Sequence, residues 1–321
     1  MAAPLALLAM LVELAIGYPE RIVKLAGHPV TWIGRLIAWL DVRLNDPAKS
    51  AAERRRAGLM ALLLLLLVVG MAAFLLEKTL LLLPFGLLFA AVAASTLIAQ
   101  RSLYTHVAAV ADALETGTIE EARTAVSQIV GRDTAPLDES AIARAAIESL
   151  AENFSDGVVA PVFWIGLTGL TGGAVYKAIN TADSMIGHRS ERYEDFGRAA
   201  AKLDDAVNLP GSRLSGVLLV CAAGLTGGAS APRAWRTMCR DAAKHASPNA
   251  GYPEAAMAGA LGVALGGPRA YAGSQVQGPW LGDGRRDAAA KDIRAALRLY
   301  ATADALLIAA VAIVAAITAT M

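Results

Sequence analysis

Cysteine is almost missing from this chain of 321 residues. Cys221 and Cys239 are the only two, neither has metal-ligand spacing with a second Cys or His, and a disulfide framework is excluded. Charge is equally sparse. Asp, Glu, Lys and Arg make up 18% of the residues and the net charge is +1, so no global field exists to bind nucleic acid. There is no GxxxxGK[ST], no GxGxxG after a strand, no HExxH and no CxxC, which removes the P-loop, Rossmann and common zinc sites. No stretch alternates with period two, no tandem repeat appears, and no Pro/Gly/Ser-rich linker divides the chain. These absences predict one all-α domain over residues 1–321.

What the chain has in excess is apolar sequence. Hydrophobic residues make up 56% and the mean hydropathy is +0.49, beyond the range of an ordinary soluble domain. The composition predicts a polytopic integral membrane protein. Met60–Leu76 and Leu80–Ala99 approach the ~20 residues that cross a bilayer, and with Glu77-Lys78-Thr79 between them they read as a helical hairpin. Ala303–Met321 supplies another span. Residues 1–16 lack the basic start and cleavage site of a secretory signal, so they read as an uncleaved first helix. Val158–Val175 and Ser215–Ala231 are interrupted by Gly and Pro, and are expected to span, re-enter or lie buried in protein. Arg21, Lys24, Arg35, Arg43, Lys49 and Arg54-Arg55-Arg56 all fall between the first helix and the hairpin, which places that loop in the cytoplasm and the amino terminus outside.

Between the hairpin and the next apolar run, residues 100–156 turn soluble and helical. Leu103, Val107, Val110 and Leu114 recur at helical spacing, Thr118 with Glu121 forms a capping box, and Asp138 is the N-cap of the helix that follows. On that helix Arg144, Glu148, Glu152 and Asp156 stand at four-residue steps along one face. The plainer reading is a solvated Arg144–Glu148 pair. The alternative is that Glu148, Glu152 and Asp156 hold a hard cation through oxygen. Asn153 and Asp156 sit where the chain enters VVAPVFW, and acidic groups there need a partner.

Three more polar sets follow beside apolar sequence. Lys177, Asn180 and Ser184 share one helical face, with Asp183 a step round and His188 beyond Gly187. Asp204-Asp205, Asn208 and Arg213 make the second. Arg240, Asp241, His245, Asn249 and Glu254 make the third. A cation beside carboxylates suits a phosphate-bearing substrate, whereas a local salt-bridge set is the plain alternative for each. Gly259, Gly262 and Gly266 are expected to let helices pack closely.

Five of these segments, taken in order, resemble one family. GRDTAPLD at Gly131–Asp138, ESLAENFSDGVVAPVFW at Glu148–Trp164, YKAINTADSMIGH at Tyr176–His188, YEDFGRAAAKLDDAVNLPGSRL at Tyr193–Leu214 and RDAAKHASPNAGYPEAAMAGALGVALGG at Arg240–Gly267 are similar to the CobD/CbiB family of adenosylcobinamide-phosphate synthases, membrane proteins of cobalamin biosynthesis. HPVTWIGRLIAWLD at His28–Asp41 extends the likeness nearly to full length, while Glu13 and Gly17-Tyr18-Pro19 depart from the family's Asp and Gly-Asp-Pro. The resemblance implies an ATP-dependent amide ligation, in which the amine of an aminopropanol phosphate or a close analogue joins a propionate carboxylate of adenosylcobyric acid through an acyl phosphate. Mg²⁺ is expected with ATP. It further implies that Glu148, Glu152 and Asp156 hold Mg²⁺ and that Lys177 and Arg213 neutralise phosphate. Asp183 or His188 then takes the proton of the attacking ammonium. Asn153, Asn180, Ser184, Asp204, Asp205, Asn208, Arg240, Asp241, His245, Asn249 and Glu254 complete the substrate site. The expected setting is the cytoplasmic membrane of a bacterium, with the site facing the cytoplasm and other cobalamin-pathway enzymes as partners.

A corrinoid or metal-ion transporter would call for inverted repeats, which are not visible. A non-catalytic scaffold for pathway enzymes is the other rival. Topology supplies one more constraint. If every apolar stretch crossed, the Tyr176–Arg213 motif would face outward, away from ATP, so Val158–Val175 and Ser215–Ala231 are expected to re-enter or pack inside a bundle.

Overall fold

A computed structural model describes residues 2–18, 27–188, 190–271, 274–276 and 278–320; Arg21 and Lys24 of the first loop lie outside the described residues. The chain is 76% helical, an all-α polytopic membrane protein as the composition demands. Among the described residues, five helical stretches are long and apolar enough to cross a bilayer: Ala51–Leu81, Gly86–Thr116, Glu139–Gly187, Arg198–Ala223 and Ala290–Thr320. Two compact units divide the chain: residues 1–99, 160–208 and 311–321 form the first, and residues 100–159 and 209–310 the second.

In the first unit, helices α1 (Ala2–Ile16), α2 (Pro29–Leu44), α3 (Ala51–Leu81), α4 (Gly86–Ser95) and α8 (Ala160–Ala182) pack together with the start of α9 (Arg198–Ala223). Ser50 and Glu53 open α3 with a reciprocal capping box. The hairpin turn falls at residues 82–85, where Pro84 cannot continue a helix and Phe85 takes φ 60°, and Glu77-Lys78-Thr79 are instead the last turns of α3. The charged triplet marks no turn because Glu77 has a tertiary task. Its Oε2 accepts from the Thr171 backbone N–H at 3.1 Å and from Thr171 Oγ1 at 2.8 Å.

Thr171 lies just past a sharp reversal. Gly169 has φ 77° and ψ −164°, and a Cβ on Gly173 would stand 2.4 Å from Ile165 Cγ1. In a straight helix, positions eight apart are about 12 Å apart, so the chain doubles back at Gly169 and α8 is a helical hairpin. The Gly-interrupted Val158–Val175 stretch takes this form. Glu77 supplies the acceptor that the orphan N–H groups at the start of the returning arm require. A valine at Gly169 places a β-branched side chain at positive φ with its Cβ 2.3 Å from Glu77 Oε1. Gly169→Val is expected to cost about 1–3 kcal/mol, measured by thermal unfolding in detergent; a melting temperature equal to wild type would remove the tip's special role.

Below the tip, the returning arm packs Ala178, Ala182 and Ile186 onto Ala61, Leu62 and Leu65 of α3 and Ile33, Ile37 and Leu40 of α2. A π-turn, Asp183–Gly187, ends it.

In the second unit, α5 (Gln100–Thr116), α6 (Ile119–Ser127) and α7 (Glu139–Phe154) form the soluble helices read from the sequence. Leu103, Val107 and Val110 are buried, Thr118 and Glu121 make their capping box, and Asp138 caps α7 through the Ala141 N–H at 2.7 Å. A π-turn, Ser155–Val159, follows α7. The Ser215–Ala231 stretch is helical in α9 only to Ala223. Helices α10 (Ala231–Asp241) and α11 (Gly251–Leu261) pack so closely that a Cβ on Gly259 would meet the Arg233 carbonyl oxygen at 2.6 Å, the close approach expected of that glycine. Short strands at residues 265–281 pair in two antiparallel ladders. The helix α12 (Ala290–Thr320) closes the chain.

Candidate functional site

The predicted polar residues fall into one group per unit. In the first, Asp204 of α9 is buried and receives Asn208 Nδ2 at 2.9 Å and Asn180 Nδ2 at 3.4 Å, one on each oxygen. Tyr176 OH extends the row, donating to Asn208 Oδ1 at 2.8 Å. No buried side-chain N or O atom of this row is left without a hydrogen-bond partner, as burial requires. Asp183 lies in the π-turn below and interacts electrostatically with Asp205 and His188. His188 is exposed, its ring 5.0 Å from that of Tyr193 in an edge-on contact. Ser184 bonds back to the Asn180 carbonyl at 2.9 Å. Lys177, one turn above Thr181, also lowers the pKa of His28, after burial of that imidazole has done most of the lowering. The Lys177–Asn180–Asp183–Ser184–His188 face and the Asp204–Asp205–Asn208 face are therefore brought together.

In the second unit, Glu148 is 5% exposed and committed on both oxygens: Arg132 Nη2 donates to Oε2 at 2.9 Å and the Gly266 N–H to Oε1 at 2.7 Å. Glu148, Glu152 and Glu254 line one cavity of about 170 Å³ with Arg132, Ser149 and Ala145. Asn153 Nδ2 donates to the Ser149 carbonyl at 2.9 Å and to its Oγ at 3.1 Å. Asp156 does not line that cavity, because it belongs to the π-turn, whose wider winding breaks the four-residue stripe predicted for a continuous α-helix. Among the described residues, no three His, Cys, Asp or Glu side chains converge to hold a metal ion. The Glu148–Glu152–Asp156 set does not fit a resident three-carboxylate centre.

His245 Nε2 lies 3.7 Å from Glu254 Oε1. Arg213 stacks its guanidinium 4.2 Å from the Tyr252 ring centre and donates to Asn249 Oδ1 at 2.7 Å and Ser212 Oγ at 2.8 Å. Asp241 is 1% exposed and holds a different kind of network. Arg240 donates to both its oxygens at 2.7–2.8 Å, Lys244 Nζ lies at 2.6 Å and the Gly282 N–H at 2.8 Å. Arg240 above all, and then Lys244 and the Gly282 N–H, hold its carboxyl well below the usual carboxylate range against the opposing effect of burial. Arg240 is shared with Asp283 at 3.0 Å. With every oxygen taken, Asp241 fixes the α10 end and the 282–283 loop.

Sequence reasoning missed Arg132, Glu77 and Asp41. Arg132 and Asp41 lie inside recognisable segments, GRDTAPLD and HPVTWIGRLIAWLD, which was the available signal; Asp41 accepts from Arg192 at 2.7 Å and Tyr193 OH at 3.3 Å.

The CobD/CbiB family model matches residues 6–300, so the chain belongs to the CobD/CbiB family. It is 46% identical to the "Cobalamin biosynthesis protein CobD" of Rhodobacter capsulatus over 94% of each chain. It is 47% identical to the protein of the same name from Brucella suis, over 91% of this chain and 90% of that one. No solved structure matches.

Proposed function

We propose that the protein is a cobalamin-biosynthetic ligase of a bacterial cytoplasmic membrane. It would join the amine of an aminopropanol phosphate, or a close analogue, to a propionate carboxylate of adenosylcobyric acid at the expense of ATP. The observation that carries the reading is a family match over residues 6–300, with curated relatives of nearly equal length named for cobalamin biosynthesis.

A carboxylate is a poor electrophile, and activation comes first. Its oxygen takes the γ-phosphoryl group and ADP leaves. The ammonium sheds a proton, its nitrogen attacks the acyl carbon, the carbon–oxygen bond to phosphate breaks, and the nitrogen gives up a second proton as inorganic phosphate departs. Catalysis of this kind rests on positioning and charge neutralisation. Lys177 and Arg213 are assigned to phosphate, and Asp183 or His188 to the proton. Mg²⁺ bound with ATP would neutralise its phosphate charge, and one or two of the predicted carboxylates Glu148, Glu152 and Asp156 would suffice to hold it.

Purified protein in detergent should form adenosylcobinamide phosphate only when ATP and Mg²⁺ are both present. Absence of product with all reactants supplied would refute the reading. Arg213 gives a sharper measure, because its planar head both stacks on Tyr252 and bonds Asn249. Lysine keeps the charge and loses both contacts. Arg213→Lys is expected to lower kcat/KM roughly 10- to 100-fold, about 1.4–2.7 kcal/mol of transition-state binding. Wild-type activity in Arg213→Lys with none in Arg213→Ala would mean that charge alone matters.

A further inference from the structure

Helix α2 has an outer face that suits neither lipid nor plain water. Its inner face places it: Ile33, Ile37 and Leu40 are buried in one core cluster with Ala61, Leu62 and Leu65 of α3. Those α3 residues stand five to nine positions beyond Arg56, about 8–14 Å along the helix from its basic end. Asn45, just past the end of α2, accepts from Arg54 at 3.3 Å, so the carboxyl end of α2 lies at that same boundary. The first turns run deeper, where Pro29, Trp32 and Leu36 line one apolar cavity with Val68, Ala72 and Leu76. On the outer face Trp32, Arg35, Trp39 and Arg43 follow at steps of three or four residues, which sets them in one stripe. All four are exposed, the two indoles by 51% and 55%.

Arg35 sits between Ile33 and Ile37, at the depth of the α3 span, and its Cα–Cβ bond leans toward the helix amino terminus, away from the basic boundary. A guanidinium turned to lipid there is costly, and such a charge faces a ligand, a protein or a water-filled cleft. Indoles on both sides of an arginine are the composition of a binding surface. We infer that this stripe is the docking face of the corrinoid, whose macrocycle lies on Trp32 and Trp39 while Arg35 meets the propionate carboxylate to be ligated; naming that occupant rests on the ligation reading above. A carboxylate on a broad apolar frame complements an arginine set between two indoles, whereas the triphosphate of the nucleotide finds little on an apolar face. The face also continues into residues assigned to the reaction, which favours substrate over a second copy of the chain. A Cβ on Gly34 would stand 3.3 Å from Met185 Sδ, inside the Asp183–Gly187 turn. Asp41, at the far end of α2, holds Arg192 and Tyr193, and the Tyr193 ring meets that of His188. A corrinoid on α2 is thus presented beside Asp183 and His188.

The test is calorimetric titration of the purified full-length protein in detergent, without ATP, using adenosylcobyric acid and the primary amide of the same propionate. The acid should bind at least tenfold more tightly. Arg35→Gln should weaken the acid at least tenfold and leave the amide within twofold, which erases the preference, and Trp39→Leu should weaken both at least threefold. Equal affinities of acid and amide for the wild type, or unchanged affinities in both variants, overturn the inference. Displacement of the corrinoid by millimolar ATP overturns it too, since the face would then be the nucleotide's. So does a dimer that Trp39→Leu dissociates without change in corrinoid affinity, which would make the face an interface between copies. Both positions are exposed, and the variants should melt with wild type; if either does not fold, the acid and amide pair on the wild type decides. Acid-selective binding without product formation would refute the ligation reading and leave this site standing, whereas product formation with an unchanged corrinoid KM in both variants would refute the site alone.

Discussion

Replacing Arg132 by alanine is expected to lower the unfolding free energy by about 3–5 kcal/mol, because it strands a buried carboxylate. The Arg132 side chain is 11% exposed and that of Glu148 7%, so water can replace little of what the guanidinium supplies. The Gly266 N–H would remain on one oxygen, yet a neutral donor does not replace a guanidinium against a charge held away from solvent. In a protein of this size the loss corresponds to a fall in melting temperature of roughly 6 °C or more. The pair itself need not stabilise the fold. A double variant, Arg132→Met with Glu148→Gln, removes both charges at similar volume and should recover most of the loss. Thermal unfolding in detergent reads both results. An Arg132→Ala protein that melts with wild type would mean that the carboxylate is solvated or protonated and that the pair does not hold the Gly266 loop.

The distinction between what was legible in the sequence and what was not follows the range of the interactions. Caps are local, and Thr118 with Glu121 and Asp138 with Ala141 stand as read. Leu103, Val107 and Val110 bury one face because helical periodicity reports burial directly. The Gly- and Pro-broken character of Val158–Val175 was visible too, and it becomes the reversal at Gly169. Glu77 was misread as part of a turn because its partner, Thr171, is 94 residues away. Likewise the commitment of Glu148 to Arg132 and to Gly266 spans 16 and 118 residues, beyond any pattern of spacing. The four-residue stripe Glu148–Glu152–Asp156 assumed an unbroken α-helix. The π-turn at Ser155–Val159 inserts extra winding ahead of Asp156, and propensity does not announce such a turn. Within each unit the family's polar segments do meet: Asn180 with Asp204, Tyr176 with Asn208, Arg213 with Asn249, and His245 with Glu254.

A cysteine placed at Glu194 should resist a membrane-impermeant thiol reagent in intact cells and react after lysis, while one at Leu83 should be labelled from outside. The argument starts from α3. Its 31 residues rise about 46 Å, more than the ~30 Å of hydrocarbon, so its two ends lie on opposite sides of the bilayer. Arg54, Arg55 and Arg56 mark one end, and the turn at residues 82–85 the other. The 188–197 loop is tied to the basic end. Arg54 Nη2 donates to the Glu191 carbonyl at 3.3 Å and also to that of Arg192, Arg55 pairs with Asp195 at 2.7 Å, and Arg192 pairs with Asp41 at 2.7 Å. Asn45 Nδ2 adds a bond to the Arg192 carbonyl at 3.1 Å. The reversal at Gly169 makes this arrangement possible, since it lets the returning arm run from the level of Glu77 back to that of Ala61 and Leu62. Basic loops stay in the cytoplasm, so this loop, with His188 at its start and Asp183 just above, would meet cytoplasmic ATP. Both exposed native cysteines, Cys221 and Cys239, are first changed to alanine so that each reporter is read alone. Because labelling is nearly all-or-none, the contrast between the two positions is the measurement. Labelling of the Glu194 position in intact cells, with Leu83 protected, would invert the protein and place the residues proposed to meet ATP on the wrong side of the membrane.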